Sequence, residues 1–149
     1  MKKTFAALTL CSLAATACGG SEQETMEGEV DVVVTEAPHT VQIVEPADGS
    51  TIEGPSVNVR LQTDVPIVVA GDMTPGTGHH HIFLDGDLSP EAEPIPTVPG
   101  TVVHLGDAST EFTFDAVAPG RHRLIAVVAD GAHVPLQPHV TDTVIFTVE

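Results

Sequence analysis

Val57-Asn58-Val59-Arg60-Leu61-Gln62 alternates apolar and polar residues without a break. Successive side chains on a strand point to opposite faces, so this stretch buries Val57, Val59 and Leu61 and presents Asn58, Arg60 and Gln62 to water. The same period of two recurs downstream. Phe112 and Phe114 sit between Glu111, Thr113 and Asp115, and Val144, Phe146 and Val148 share a face near the C-terminus. Leu124 to Val128 is apolar on both faces, as in a central strand covered on each side. Turn chemistry separates the runs at Pro46-Ala47-Asp48-Gly49, Pro75-Gly76, Pro99-Gly100 and Pro119-Gly120. No segment requires a helix.

These signals predict about seven strands, at residues 41–44, 56–62, 79–85, 101–105, 110–115, 121–129 and 141–148. The 111 residues from His39 to Glu149 match the roughly 100 of an immunoglobulin-like antiparallel β-sandwich and suffice for one core. The expected fold class is therefore all-β, with one sandwich domain over residues 39–149. A partly open Greek-key barrel is the alternative on the same strand count.

The N-terminal part reads differently. Met1-Lys2-Lys3 is a short basic start, Phe5 to Ala15 is apolar, and Ala15-Thr16-Ala17 is a small-residue cleavage site before Cys18. This is the order of an export signal, and the apolar run is too short to span a bilayer. With Gly19-Gly20-Ser21 following, residues 1–17 read as a lipoprotein signal and Cys18 as the lipidated residue. Acyl chains contribute about 0.8 kcal/mol per buried methylene, so a multiply acylated Cys18 anchors the chain to a membrane. Residues 18–38 are small or acidic and read as a flexible tether, with Val30 to Val34 able to form a short strand. The expected location is the cell envelope, on the periplasmic face of the outer membrane in a cell that has one.

Charge and cysteine content narrow the function. Loss of Lys2 and Lys3 with the signal takes the formal charge from -16 to -18, leaving Arg60, Arg121 and Arg123 as the permanent cations. Such a field repels nucleic acid and favours cations. Cys11 departs with the signal and Cys18 is blocked by lipid, so no thiol remains for a disulfide or a nucleophile. There is no Gly-x-Ser-x-Gly elbow and no P-loop, and the expectation is a protein that is not an enzyme.

Eight histidines in a chain without Trp or Tyr are its chemical peculiarity. His79, His80 and His81 are consecutive, after the turn Thr74-Pro75-Gly76-Thr77-Gly78 and before Ile82-Phe83-Leu84-Asp85. On a strand His79 and His81 share a face and His80 joins Ile82 and Leu84 on the other. Imidazoles two residues apart can converge on one ion. Further ligands must come from elsewhere: His104, His133 and His139 are available, with Asp85 and Asp130 as possible carboxylates. The candidate metal residues are His79, His81, His104 and His133, and such a thiolate-free set suits Cu, Zn or Ni. His80 is expected at the core edge, bonded to a backbone carbonyl, and His122 in a structural role; His39 and His139 lean to the surface.

The ordered series Gly76-Thr77-Gly78-His79-His80-His81, Leu84-Asp85, Pro94-Ile95-Pro96, His104-Leu105-Gly106, Pro119-Gly120-Arg121-His122-Arg123-Leu124 and Asp130 to Pro135 resembles the family of domain of unknown function 4399. The resemblance spans about residues 42–149 and implies a compact exported β-domain without promising an activity. It also implies a final loop richer in histidine, where this sequence has Gly131 and Leu136. Two functions remain open on the sequence. One is a non-catalytic envelope module that binds a divalent transition metal. The other is a structural or interaction domain that meets an envelope protein or glycan, its histidines serving hydrogen bonds.

Overall fold

Alternating burial builds the sheets. In the computed structural model, which describes residues 38–149, β3 (Val57–Thr63) buries Val57, Val59 and Leu61 and leaves Asn58 and Gln62 exposed. The export signal, Cys18 and all of the tether but its last residue lie outside the described residues. Around β3 stand β1 (Val41–Glu45) and β6 (Glu111–Phe114), both antiparallel to it, in a three-stranded sheet ordered β1-β3-β6.

The second sheet has five strands, ordered β2-β8-β7-β4-β5. Its centre is β7 (Gly120–Ala129), antiparallel to β8 (Thr141–Val148) on one side and to β4 (His79–Leu84) on the other. Residues 124–129 of β7 are all buried, as expected for a strand covered on both faces. β5 (Val102–Leu105) pairs antiparallel with β4, and β2 (Thr51–Ile52) pairs parallel with β8. Among the described residues there are thus eight strands and no helix, where the sequence predicts about seven strands, all antiparallel. The additional strand has two residues, too few to show a period. It is held by a turn in which Asp48 Oδ1 accepts from the Ile145 amide at 2.8 Å and Gly49, at φ 75°, donates to the Ile145 carbonyl at 2.7 Å.

The main core lies between the sheets. Val41, Ile43, Val57, Val59, Leu61 and Phe114 from one meet Ile82, Leu84, Leu124, Ala126, Val144, Phe146 and Val148 from the other. Each of these side chains other than that of Ala126 contributes roughly 1.5–3 kcal/mol by leaving water. A smaller core covers the outer face of the five-stranded sheet, where Phe83, Val102, Ile125, Val127 and Ala129 pack with Ile95 from the connection between β4 and β5. Both faces of β4 are therefore roofed, and all six of its residues are buried.

Candidate metal centre

Period two divides the histidine triplet as expected. Ile82 and Leu84 belong to the inter-sheet core and Phe83 to the outer one, which puts His80 inside the sandwich and His79 and His81 on the outer face. Strand pairing supplies the next ligand, because β5 sets His104 directly opposite His81. The fourth histidine arrives on the connection between β7 and β8. There Asp130 Oδ1 accepts from the amides of Ala132 and Val134, both at 2.9 Å, and the Asp130 carbonyl accepts from His133 N at 2.9 Å. This tight turn holds His133 at φ 67°, a left-handed conformation that costs an L-residue roughly 1–2 kcal/mol. The His133 carbonyl accepts from the Ile95 amide at 2.9 Å, tying the loop to the roof of the outer core.

The result is a cluster of four imidazoles. Ligand nitrogens of His79, His104 and His133 all lie within 4.8 Å of one another, a group that could hold a metal ion. His81 joins them through a hydrogen bond between its Nε2 and His79 Nε2, 3.1 Å apart. His79 and His81 form a fully buried floor, while His104 and His133 are half-buried at the mouth.

Burial favours the uncharged form of His79, His81 and His104. Burial, reinforced by the neighbouring His104 and His133, pushes His79 down to about 4. Burial, with His79 and His104 beside it, pushes His81 down to about 3. His104 is also lowered, first by burial and then by His133. Each neutral ring offers one lone pair and one N–H. The protein satisfies few of them: His79 Nδ1, His81 Nδ1 and His104 Nε2 are buried without a hydrogen-bond partner. An unsatisfied buried polar atom costs about 1–3 kcal/mol.

Close backbone approach shapes the pocket. A Cβ on Gly106 would lie 2.4 Å from His104 Cε1 and 2.6 Å from its Nε2, so the ring occupies the space a side chain would take. A Cβ on Gly131 would lie 2.2 Å from the Asp72 carbonyl oxygen. Histidine at 131 would therefore require the 70–73 segment to move. That segment bridges the two sides of the site, Ala70 donating to the Gly106 carbonyl at 2.9 Å and Gly71 to the Gly131 carbonyl at 3.2 Å. Neither glycine stands out in the sequence as part of a metal pocket, because each acts through a neighbour distant along the chain.

Other expectations resolve differently. Asp130 is the organiser of the His133 turn. Asp85 is committed to His122 Nδ1 at 2.7 Å and the Arg123 amide at 2.9 Å, away from the cluster. His122 also donates from Nε2 to the Ala118 carbonyl at 2.8 Å, the structural role expected of it. His80 is corrected: it is fully buried, and both ring nitrogens lack a partner instead of meeting a backbone carbonyl. Its strand is flanked by β7 and β5, so nearby carbonyls point along the sheet into the ladder and not towards its face. His139 is exposed and outside the cluster, and His39 Nδ1 lies 3.4 Å from Asp64 at the surface.

The family described as domain of unknown function, DUF4399, matches residues 57–149, which include all four clustered histidines. No curated protein matches the sequence. Among solved structures, the endo-beta-1,4-mannanase from Thermotoga petrophila is similar at 15% identity and a TM-score of 0.45, covering 76% of this chain and 20% of that one. An engineered protein is similar at 12% identity and a TM-score of 0.41, with the same coverage of 76% and 20%. The chain spans about a fifth of the length of these two proteins.

Proposed function

This chain belongs to the DUF4399 family, and we propose that it is an envelope lipoprotein whose β-domain binds a divalent transition metal without catalysing a reaction. The observation that carries this reading is the convergence of ligand nitrogens of His79, His104 and His133 within 4.8 Å of one another. His122 ends its nitrogens on Ala118 and Asp85, and His80 stands alone in the inter-sheet core, whereas His79, His104 and His133 bring ring nitrogens to one place. Neutral imidazoles without thiolate suit zinc or copper. The acidic field of the chain concentrates cations and disfavours nucleic acid.

The finer fold in this proposal is an immunoglobulin-like sandwich. The order β1-β3-β6 fits strands A, B and E of that fold, and β8-β7-β4-β5 fits G, F, C and C′. The proposed membrane partner is lipid at Cys18, on the periplasmic face of the outer membrane in a cell that has one.

Calorimetric titration of Zn(II) and Cu(II) tests the metal reading. The full chain is used with Cys11→Ser and Cys18→Ser, so that no thiolate competes, beside the same chain with His79→Ala and His104→Ala. Saturable one-to-one binding that vanishes in the histidine variant is expected. Equal weak binding by both chains would overturn the metal reading and leave an interaction domain with structural histidines. Radiolabelled palmitate incorporated by the wild-type chain and lost with Cys18→Ser alone is the expected sign of the anchor.

A further inference from the structure

The arrangement of the four rings carries more than the presence of a site. All six separations between ring centres fall in a narrow range: His104–His133 at 4.6 Å, His79–His104 at 4.8 Å, three pairs at 5.0 Å (His79–His81, His79–His133, His81–His104) and His81–His133 at 5.7 Å. Four centres at nearly equal mutual distances are the corners of a tetrahedron.

The bond lengths of zinc give the scale. With Zn–N bonds of about 2.0–2.1 Å, and ring centres about 1.1 Å further out, tetrahedral imidazoles have centres about 5.2 Å apart. A square-planar set with the same bonds would show neighbours at about 4.5 Å and opposite pairs at about 6.4 Å. The longest separation here, 5.7 Å, falls well short of an opposite pair. Tetrahedral ligand nitrogens would stand about 3.3 Å apart, beside 3.1 Å between His79 Nε2 and His81 Nε2. His81 lies outside the trio whose nitrogens are mutually within 4.8 Å, yet its ring occupies the fourth corner.

Resting on the metal reading above, we infer that His81 is the fourth ligand and that the site is a closed tetrahedral cage of four imidazoles suited to Zn(II). The ion has no open position for water or substrate, as in structural zinc sites, where catalytic ones keep three protein ligands and a free corner. Cu(II) and Ni(II), which favour tetragonal surroundings, fit this cage poorly, and it offers no sulfur to favour Cu(I). The ion reaches it past His104 and His133, since the other two rings are fully buried. The chain thus holds zinc, for storage or to fix the His133 loop against the sheet.

X-ray absorption of the zinc-loaded wild-type chain counts the ligands directly, and the visible spectrum of the Co(II)-loaded chain reports coordination number. Four imidazole nitrogens at about 2.0 Å and the intense bands of tetrahedral cobalt are expected. Three imidazoles with an oxygen ligand, or the weak bands of five- or six-coordinate cobalt, would overturn the cage and leave the three-histidine site standing. Failure of the wild-type chain to bind either ion would overturn both. His81→Ala is expected to weaken zinc at least about tenfold and to admit solvent to cobalt. A His81→Ala chain with unchanged affinity and spectrum would exclude His81 as a ligand, whereas the wild-type ligand count stands whether or not that variant folds.

Discussion

Acidifying the metal-stripped domain from pH 7 to pH 5 is expected to remove a large share of its stability. His79, His80 and His81 are fully buried, and burial first, with neighbouring imidazoles at His79 and His81, pushes them down to about 4, about 4 and about 3. A ring with an unfolded pKa near 6.5 and a depressed folded one binds fewer protons folded than unfolded across that window. The stability from keeping it neutral is present above pH 6.5 and is lost as the pH falls towards the folded value. At pH 5 each unfolded ring is almost fully protonated and each folded ring is not, which costs about 2 kcal/mol per histidine relative to pH 7. Taken as independent, the three sum to roughly 6 kcal/mol, against about 5–15 kcal/mol for a whole domain.

Other groups do not cancel this loss. At His122 burial lowers the pKa, but the Asp85 hydrogen bond, the Ala118 carbonyl and the Asp85 charge outweigh it and leave the pKa raised. Its contribution is present below the unfolded pKa and lost as pH rises, so it opposes the three buried rings, but as a single group. Asp64, Asp72 and Asp107 are held below the usual carboxylate range by hydrogen bonds centred on Thr40, Thr74 and Ser109, and titrate outside the window. The chain has no Trp or Tyr, so guanidinium unfolding in chelator is followed by far-UV circular dichroism. Stability at pH 5 equal to that at pH 7 within about 1 kcal/mol, or greater, would refute the reasoning. His80→Leu alone should remove about a third of the dependence.

Two substitutions separate packing from binding. His80→Leu replaces two unpartnered buried nitrogens with apolar surface of similar volume and is expected to stabilise the metal-free domain at pH 7 by about 1–2 kcal/mol; a loss of that size in the denaturation midpoint would show that His80 is hydrogen-bonded to buried water. Gly106→Ala drives a methyl group into the His104 ring and is expected to weaken zinc by about 10–100-fold with the fold intact by circular dichroism; unchanged affinity in the calorimeter would remove His104 from the site.

Much of this is legible in the sequence because a strand writes its face assignment locally. Val57, Val59 and Leu61, or His79 and His81, need only the period of two to be placed together. What joins β4 to β5 is register, and register is set by contacts between residues far apart in the chain. The sequence therefore offers His104 as a ligand without showing that it stands opposite His81. The His133 turn is a similar case, since Asp130-Gly131-Ala132-His133 reads as a loop while the use of the Asp130 carboxylate on its own backbone becomes evident only in the fold. The surroundings of His80 are hidden from the sequence for a reason of the same kind, because the two strands flanking β4 decide whether a carbonyl is within reach.

The outer face of the five-stranded sheet supports the proposal that this cluster binds an ion. Phe83, Val102, Ile125 and Val127 make an ordinary apolar patch there, and an apolar side chain in place of His81 would extend it by one row at no polar cost. Imidazoles stand in that row instead, the four of them carrying at least three unpartnered nitrogens, with His133 held in a left-handed conformation above them. Locally each of these choices works against folding, and together they converge on one point with the spacing of a tetrahedral ion. Departures from local consistency that agree with one another are the mark of a functional site. In the metal-free domain they are a source of instability; in the proposed cage, zinc would offset it by tying the His133 loop to the sheet.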